Sequence, residues 1–511
     1  MRVAIIDLGT NSVRFDVHQI GPGKQLRRLH REKIMVRLGT GIFVNGKLDR
    51  NAVRRTLHAF KRFQKLSKQL RITKTIAFGT SALREATDRE SFLNSIQEQS
   101  GIHVRVISGA EEANLIAQGI LSGEKRHHRL DGIKGHYALV DIGGGSTEIN
   151  ICRGKEVLFS QSFPLGTARV QQLFLRHSPP SPLEISQARS YIRNALYEVM
   201  LPNHWPHANQ VFGSSGTVRA LERLLRKPSA QKSKKKPAIL KKDEISKTVT
   251  RMSTMTPTEL LGMPRMEPKR VDMILAGALI LDECMNVLKS KSATFTEFSL
   301  RDGIMEEELR LYQQGASHSH LSLHLNDLYE KAKLFGADEQ HLKRTTLVAE
   351  TLFDRLRSVH KLKPQWKIYL SAAMILRDTG EAINLSKHPD HSYYIVRNSD
   401  LPAMDQWEIE LLAQLCLHHE GSKNGHHDIT FTKSKTKKDA YTKLLALLRI
   451  ADALDSGAEC RVILKSIQVG KKLITIHYSG REVTGLETTN VEKKADFFQS
   501  IFGRQIVAVW K

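Results

Sequence analysis

Two short segments of the chain carry the same arrangement of reactive residue types. Asp7 follows the apolar run VAII and precedes Leu8-Gly9-Thr10-Asn11-Ser12; Asp141 follows YALV and precedes Ile142-Gly143-Gly144-Gly145-Ser146-Thr147-Glu148. Each reads as a buried strand, an aspartate, a Gly-containing turn, a hydroxyl residue and a second strand. Small turn residues leave backbone N–H groups exposed, and N–H groups in a concave turn, with Ser and Thr hydroxyls, hold phosphate well. The aspartate heading each turn can face a divalent cation, which would neutralise phosphate and polarise the scissile bond. A third Gly-rich segment, Phe212-Gly213-Ser214-Ser215-Gly216-Thr217, lies between a β-like stretch and the helical VRALERLL, as a phosphate loop at a helix N-terminus would. One such loop can be an ordinary tight turn. Repetition of the plan points instead to a site that grips a string of phosphates and cleaves the terminal one with metal-assisted water.

The elements that must position these loops alternate. Val53, Leu57, Phe60, Phe63, Leu66 and Leu70 recur every three or four residues, which predicts a helix over 51–70. TIAF (75–78) and HVRVI (103–107) read as strands, and Glu111 to Leu121 as a helix. Strands alternating with helices, and a strand-loop-strand unit repeated at very long period, predict two similar α/β halves. Residues 225–243 are basic and Pro-containing and read as an exposed loop, with a polyanion guide as the alternative. Beyond Tyr312 the texture becomes helical, with amphipathic segments at 340–357, 366–377, 407–418 and 439–454. From Arg461 onward, VILKSIQV, LITIHY and QIVAVW surround a predicted helix at 490–502, a small α+β unit.

Composition bounds the rest. A chain of 511 residues exceeds the size at which a single core stops growing, so three or four domains are expected. The longest apolar run, Ile274 to Leu281, is too short to cross a bilayer, and the N-terminus reads as lacking a signal peptide. Four scattered cysteines (Cys152, Cys284, Cys416, Cys460) form no CxxC pair, which fits a reducing, cytoplasmic compartment. A net charge of +25 sets up a positive field that draws polyanions. Nucleic acid is one such partner, but no helix-turn-helix, RRM or KH signature is present.

The motifs AIIDLGTNS (4–12), FGTSALREA (78–86), ISGAEEANL (107–115), VDIGGGSTEI (140–149), FPLGTARV (163–170), FGSSGTVRAL (212–221) and RVDMILAGALIL (270–281) together resemble the exopolyphosphatase / guanosine pentaphosphate phosphohydrolase (Ppx/GppA) family, within the actin-like ATPase and sugar-kinase superfamily. The resemblance implies two actin-like (ribonuclease H-like) α/β domains, at 1–122 and 123–312. An all-helical HD-like domain at 318–455 and a small α+β domain at 456–511 would follow. It implies Glu112 as general base for the attacking water, Asp141 and Glu148 in metal and water positioning with Asp7 as a further metal ligand, and Arg84 as a phosphate contact. Asn11, Ser12, Gly143, Gly144, Gly145, Ser146, Thr147, Ser214 and Gly216 would line the phosphate track. Without the resemblance, Glu112 reads as a first-turn carboxylate on a helix dipole, the part left to Glu111.

For the HD-like part, spaced His and Asp ligands are the expected pattern, and the candidates are His341, Asp378, His391, His418, His419 and Asp452. Arg377 stands where the diagnostic histidine should precede Asp378. Its guanidinium cannot ligate a cation, so the expectation is a degenerate motif with a structural role. The implied activity is release of orthophosphate from the end of inorganic polyphosphate, requiring Mg²⁺ or another divalent cation, by a homodimer. Conversion of pppGpp to ppGpp, or both activities, is the alternative reading, and a non-catalytic polyphosphate or alarmone sensor a further one.

Overall fold

The computed structural model describes residues 1–21, 26–226, 239–314, 325–399, 401, 404–421, 429, 431–454, 462–480 and 485–511. The chain divides into two compact units, Met1–Arg310 and Leu311–Lys511.

The first unit holds two sheets built on one plan. In the first, β1 (Arg2–Leu8), β2 (Ser12–Ile20) and β3 (Leu26–Met35) form an antiparallel meander, and β4 (Lys74–Gly79) and β5 (Arg105–Val106) continue parallel to β1, in the order β3-β2-β1-β4-β5. In the second, β6 (His136–Ile142), β7 (Thr147–Arg153) and β8 (Glu156–Phe163) repeat the meander. β9 (Gln210–Ser214) and β11 (Ser292–Phe295) then run parallel to β6, and β10 (Ile239–Lys241) closes the edge, in the order β10-β11-β9-β6-β7-β8. Central strands are continuous apolar runs because both faces are covered: Val3 to Ile6 and Tyr137 to Val140 are fully buried. The predicted helix at 51–70 is found as Arg50–Gln69, started by Asp49, whose carboxylate accepts from Ala52 N at 2.8 Å. Phe63 of this helix stacks on Phe15 of β2 with ring centroids 4.8 Å apart.

One core cluster joins both sheets: Val3, Ile5 and Phe78 of the first and Tyr137, Leu139 and Phe212 of the second share it with Ile116 and Ile120 of helix Gly109–Arg126 and Ile304 of helix Leu300–Gln314. These two helices cross where glycines let their backbones touch. A Cβ at Gly119 would lie 2.6 Å from Gly303 N, and one at Gly303 would collide with Leu115 O.

Two readings of this unit change. The strand expected at 103–107 reduces to Arg105–Val106, because β5 is an edge that pairs only with Phe78 and Gly79 of β4. Within the basic stretch 225–243, residues 227–238 lie outside the described residues, but 239–243 are not loop: Ile239–Lys241 pairs with β11, Leu240 is buried, and helix Lys242–Met252 begins at once.

In the second unit the amphipathic segments are helices Glu339–Arg355, Lys367–Leu376, Gln406–His418 and Lys435–Ala453. The tail forms β12 (Ile463–Val469), β13 (Leu473–Ser479) and β14 (Gln505–Trp510), with helix Leu486–Phe502. Its inward residues Ile474, Ile476, Tyr478, Phe498 and Ile506 lie in the same core cluster as Leu370, Leu412 and Leu445, so tail and helices share one core. The α/β, α/β, helical, α+β order expected from the sequence is the order found. Cys152, Cys284 and Cys416 are free and buried; Cys460 lies outside the described residues. No described helix is long and apolar enough to cross a membrane.

Candidate functional site

The two aspartate-headed turns are closed by the same bond: Gly9 N donates to Ser12 O at 3.1 Å, and Gly143 N to Ser146 O at 2.9 Å. Sheet register decides what stands opposite each aspartate. Asp141 is paired across β6–β7 with Glu148, and Asp7 across β1–β2 with Arg14. The turns also meet each other. A Cβ at Gly144 would lie 2.7 Å from Thr10 Cβ and 2.8 Å from Asn11 Nδ2, so only glycine lets the second turn lie against the first. Gly145 approaches Ser81 and Phe43 as closely, and Asn11 Nδ2 reaches Thr167 Oγ1 at 3.5 Å.

Glu112 comes to this place by helix geometry. Ser108 caps helix Gly109–Arg126, its hydroxyl accepting from Glu111 N at 3.0 Å. Gly109 rests on β8, where a Cβ would lie 2.9 Å from Ser162 Cβ. Glu111 turns away into a two-bond pair with Arg105, at 2.7 and 2.6 Å. Glu112 turns in, where Arg84 Nη1 donates to its Oε2 at 2.7 Å. The same guanidinium donates to Ile107 O at 3.0 Å and reaches Ser146 Oγ at 3.4 Å, linking Glu112 to the second turn. Ser162 Oγ donates to Glu148 Oε1 at 2.7 Å.

The electrostatics show one shared pocket of charge. Burial raises the Glu112 carboxyl above its ordinary range; Arg84 opposes this, while the charges of Asp7 and Asp141 add to it. Burial raises Asp141, with the Ser214 hydrogen bond and then Arg14 opposing and Asp7 adding. Burial and then Glu112 and Asp141 push Glu148 up further. Asp7, Glu112, Asp141 and Glu148 therefore face a common space with too few cations around it. Arg301, buried, lies 3.7 Å from Asp7 Oδ2 and 3.0 Å from Asp16 Oδ2, which offsets part of the charge.

The third loop joins the site through Ser214, opposite Asp141 in the parallel β6–β9 register. The Ser214 hydroxyl faces the Asp141 carboxylate and hydrogen-bonds to it, and the buried hydroxyl oxygen of Ser215 has no hydrogen-bond partner among the described residues. Ser215 also sits at φ 87°, a left-handed conformation that costs a non-glycine residue energy and clusters at functional sites. Gly216 touches the Arg270 guanidinium, which any side chain there would displace.

Most residues expected from the sequence are thus brought together: Asp7, Asn11, Arg84, Glu112, Asp141, Gly144, Gly145, Ser146, Glu148 and Ser214. Ser12 and Gly143 close the turns through their backbone, and Thr147 has its hydroxyl committed to Leu165 O at 2.6 Å. Sequence reasoning missed Arg14, Ser162 and Arg301. The antiparallel repeat could have found Arg14, since it occupies the position of Glu148 in the other hairpin; Ser162 and Arg301 carry no local signal.

In the second unit, Arg377 is fully buried and bridges the two aspartates among the candidates, Nε to Asp452 Oδ1 at 2.8 Å and Nη2 to Asp378 Oδ2 at 3.0 Å. Lys494 pairs with the other oxygen of Asp452. Of the histidines, His419 approaches Asp378 at 3.5 Å, His418 Nδ1 contacts Tyr441 Oη at 2.6 Å, and His341 lines a cavity near Asp378. His391 packs its Cβ near Gly380, and His388, absent from the candidates, stands beside His419.

Comparison with known proteins agrees with this architecture. The family model described as the Ppx/GppA phosphatase family matches residues 17–311, and that of Ppx/GppA phosphatase, domain III, matches residues 327–476. The chain is 30% identical over 320 residues to Exopolyphosphatase 2 of Mycobacterium tuberculosis, covering 59% of this chain and 97% of that protein. Among solved structures, an exopolyphosphatase from Cytophaga hutchinsonii is 26% identical with a TM-score of 0.53, covering 61% of this chain and 98% of that one. An exopolyphosphatase-like protein is 25% identical with a TM-score of 0.54, covering 59% of this chain and 96% of that one. The fold and site define a phosphoryl-cleaving hydrolase. The chain belongs to the Ppx/GppA phosphatase family.

Proposed function

We propose that the protein is an exopolyphosphatase that releases orthophosphate from the end of inorganic polyphosphate, with Glu112 as general base for the attacking water. The observation that carries the reading is the buried pair Glu112 and Glu148, with the charge of Asp141 bearing on both, beside two glycine turns and the unpartnered hydroxyl of Ser215. The hard oxygen donors of Asp7, Asp141 and Glu148, which share one crowded pocket where burial raises Asp141 and Glu148 and neighbouring carboxylates add to the rise, fit a hard divalent cation such as Mg²⁺. When bound, such a cation supplies charge neutralisation and polarises the terminal phosphate.

The chain's own residues do the rest. The turn N–H groups and the hydroxyls of Ser146, Ser214 and Ser215 hold the terminal phosphates in line, which is most of what phosphoryl transfer requires. Glu112 takes the proton from the incoming water; its raised pKa makes it a better base near neutral pH than an ordinary carboxylate. Arg84 keeps it ionised and oriented, and can turn toward the phosphate through Ser146. The net charge of +25 favours a long polyanion over a single nucleotide, because counterion release grows with the number of phosphates engaged.

The test is orthophosphate release from long-chain polyphosphate and from pppGpp, side by side, with and without Mg²⁺. The expected result is Mg²⁺-dependent release with polyphosphate the better substrate by kcat/KM. Preference for pppGpp would move the assignment to guanosine pentaphosphate hydrolysis, and no release from either would end it.

A further inference from the structure

A cavity of about 790 Å³ opens in the second unit, its wall carrying Asp378, His388, His419, Glu420, Asp452 and Lys494 among others. Five of its lining residues are carboxylates and two are cations, an acidic concavity in a chain of net charge +25. Phosphate would be repelled there and a cation drawn in.

Three donor atoms converge at its wall. His388 Nε2 and His419 Nε2 are 3.2 Å apart, and Asp378 Oδ1 lies 3.6 Å from the first and 3.5 Å from the second. Ligands bound tetrahedrally at about 2.0–2.1 Å from one ion sit about 3.3 Å from each other, so the spacing is that of one coordination sphere.

The hydrogen bonds behind the rings make the same point independently. His388 Nδ1 contacts Leu385 O at 2.9 Å, and His419 Nδ1 contacts Cys416 O at 2.6 Å. A carbonyl oxygen only accepts, so each Nδ1 carries its hydrogen, and in the neutral ring each Nε2 presents a lone pair. With both rings neutral, two lone pairs would face each other and a carboxylate oxygen across 3.2–3.6 Å between nearly fully buried side chains, an arrangement that either a proton shared by His419 and Asp378 or a bound cation satisfies. Nδ1–H donated to a backbone carbonyl is also the usual backing of a metal-bound imidazole.

Arg377 does not block this arrangement. Its guanidinium takes Asp378 Oδ2 and Asp452 Oδ1, and Lys494 takes the rest of Asp452. That removes Asp452 from the donor set and leaves Asp378 Oδ1 turned toward the histidines. Glu420 Oε1, 3.8 Å from His388 Nε2, is placed to be a fourth ligand or to hold a bound water.

We propose that Asp378, His388 and His419 form a second, mononuclear metal site, for a divalent transition-metal ion of the Zn²⁺ or Fe²⁺ class, distinct in its ligands from the all-carboxylate cation site beside Glu112. Two imidazoles and one carboxylate suit such ions and not Mg²⁺.

The full-length protein, stripped of metal with chelator, is titrated with Zn²⁺ by calorimetry and with Co²⁺ by visible absorption. Wild type should bind one equivalent of Zn²⁺ at micromolar affinity or tighter, raise its Tm on binding, and show Co²⁺ ligand-field bands. His388→Ala and His419→Ala should each lose the Co²⁺ bands and weaken Zn²⁺ binding by about 100-fold or more, beyond the 10–100-fold typical of losing an outer-shell partner. Glu148→Gln should keep both. His388→Asn and His419→Gln, closer in volume, repeat the test should circular dichroism show the alanine variants unfolded. Wild type without a micromolar Zn²⁺ site, which leaves a proton shared between the rings as their occupant, overturns the proposal. So does unchanged Zn²⁺ affinity in folded His388 and His419 variants.

Discussion

Glu148 stands in conflict with its surroundings, and that conflict is measurable. Burial, Glu112 and Asp141 hold its carboxyl well above the ordinary value of 4.5. The folded state therefore binds this proton more tightly than the unfolded chain. Ionisation costs stability at neutral and alkaline pH, and the cost fades as pH falls from the folded pKa toward 4.5. Glu148→Gln keeps an acceptor for Ser162 and removes the charge. Its Tm should exceed wild type at pH 8, the gap should close toward pH 4.5, and phosphatase activity should be lost; a variant that melts below wild type at pH 8 contradicts the crowded-charge picture. Arg84 acts in the opposite direction on Glu112. Arg84→Met should move the acid limb of the kcat/KM profile to higher pH, because the desolvated carboxyl loses the charge that holds its pKa down. An acid limb that stays in place would mean that Glu112 is not the titrating base.

Elements place these residues, and what could be foreseen divides along element lines. The strand-aspartate-turn plan is written in adjacent residues, so both hairpins, Asp7, Asp141 and Glu148 were legible in sequence. Glu112 was legible through its position at a helix start, although its meaning came from the family resemblance. Ser162 and Arg301 were not legible, since β8 register and the packing of helix Leu300–Gln314 bring them in from distant sequence. His388 was not legible because no paired motif marks it, and its neighbour His419 lies 31 residues away in sequence. The three-residue strand at 239–241 is too short for any period to show. Packing at this scale predicts the cost of one substitution. A Cβ at Gly303 meets the Leu115 backbone, which cannot move without shifting the helix that carries Glu112. Gly303→Ala should destabilise the protein by about 1–3 kcal/mol and lower kcat more than it raises KM. Thermal melts with steady-state kinetics check both, and a neutral effect would show that the crossing is not what positions Glu112.

For the whole molecule, the field of a +25 chain acts on association more than on the chemical step. Hydrolysis of long polyphosphate should fall steeply with added salt and hydrolysis of pppGpp less so, because more phosphate contacts are screened; equal slopes in kcat/KM against salt would remove the case for an extended polyanion path. The account as a whole rests on one carboxylate acting as base beside a phosphate cradle it does not itself build. The most direct measurement is orthophosphate release by Glu112→Gln at saturating Mg²⁺ and polyphosphate, with polyphosphate binding measured on the same sample. The predicted result is a fall in kcat of about 100-fold or more with binding retained; release at close to the wild-type rate would contradict it.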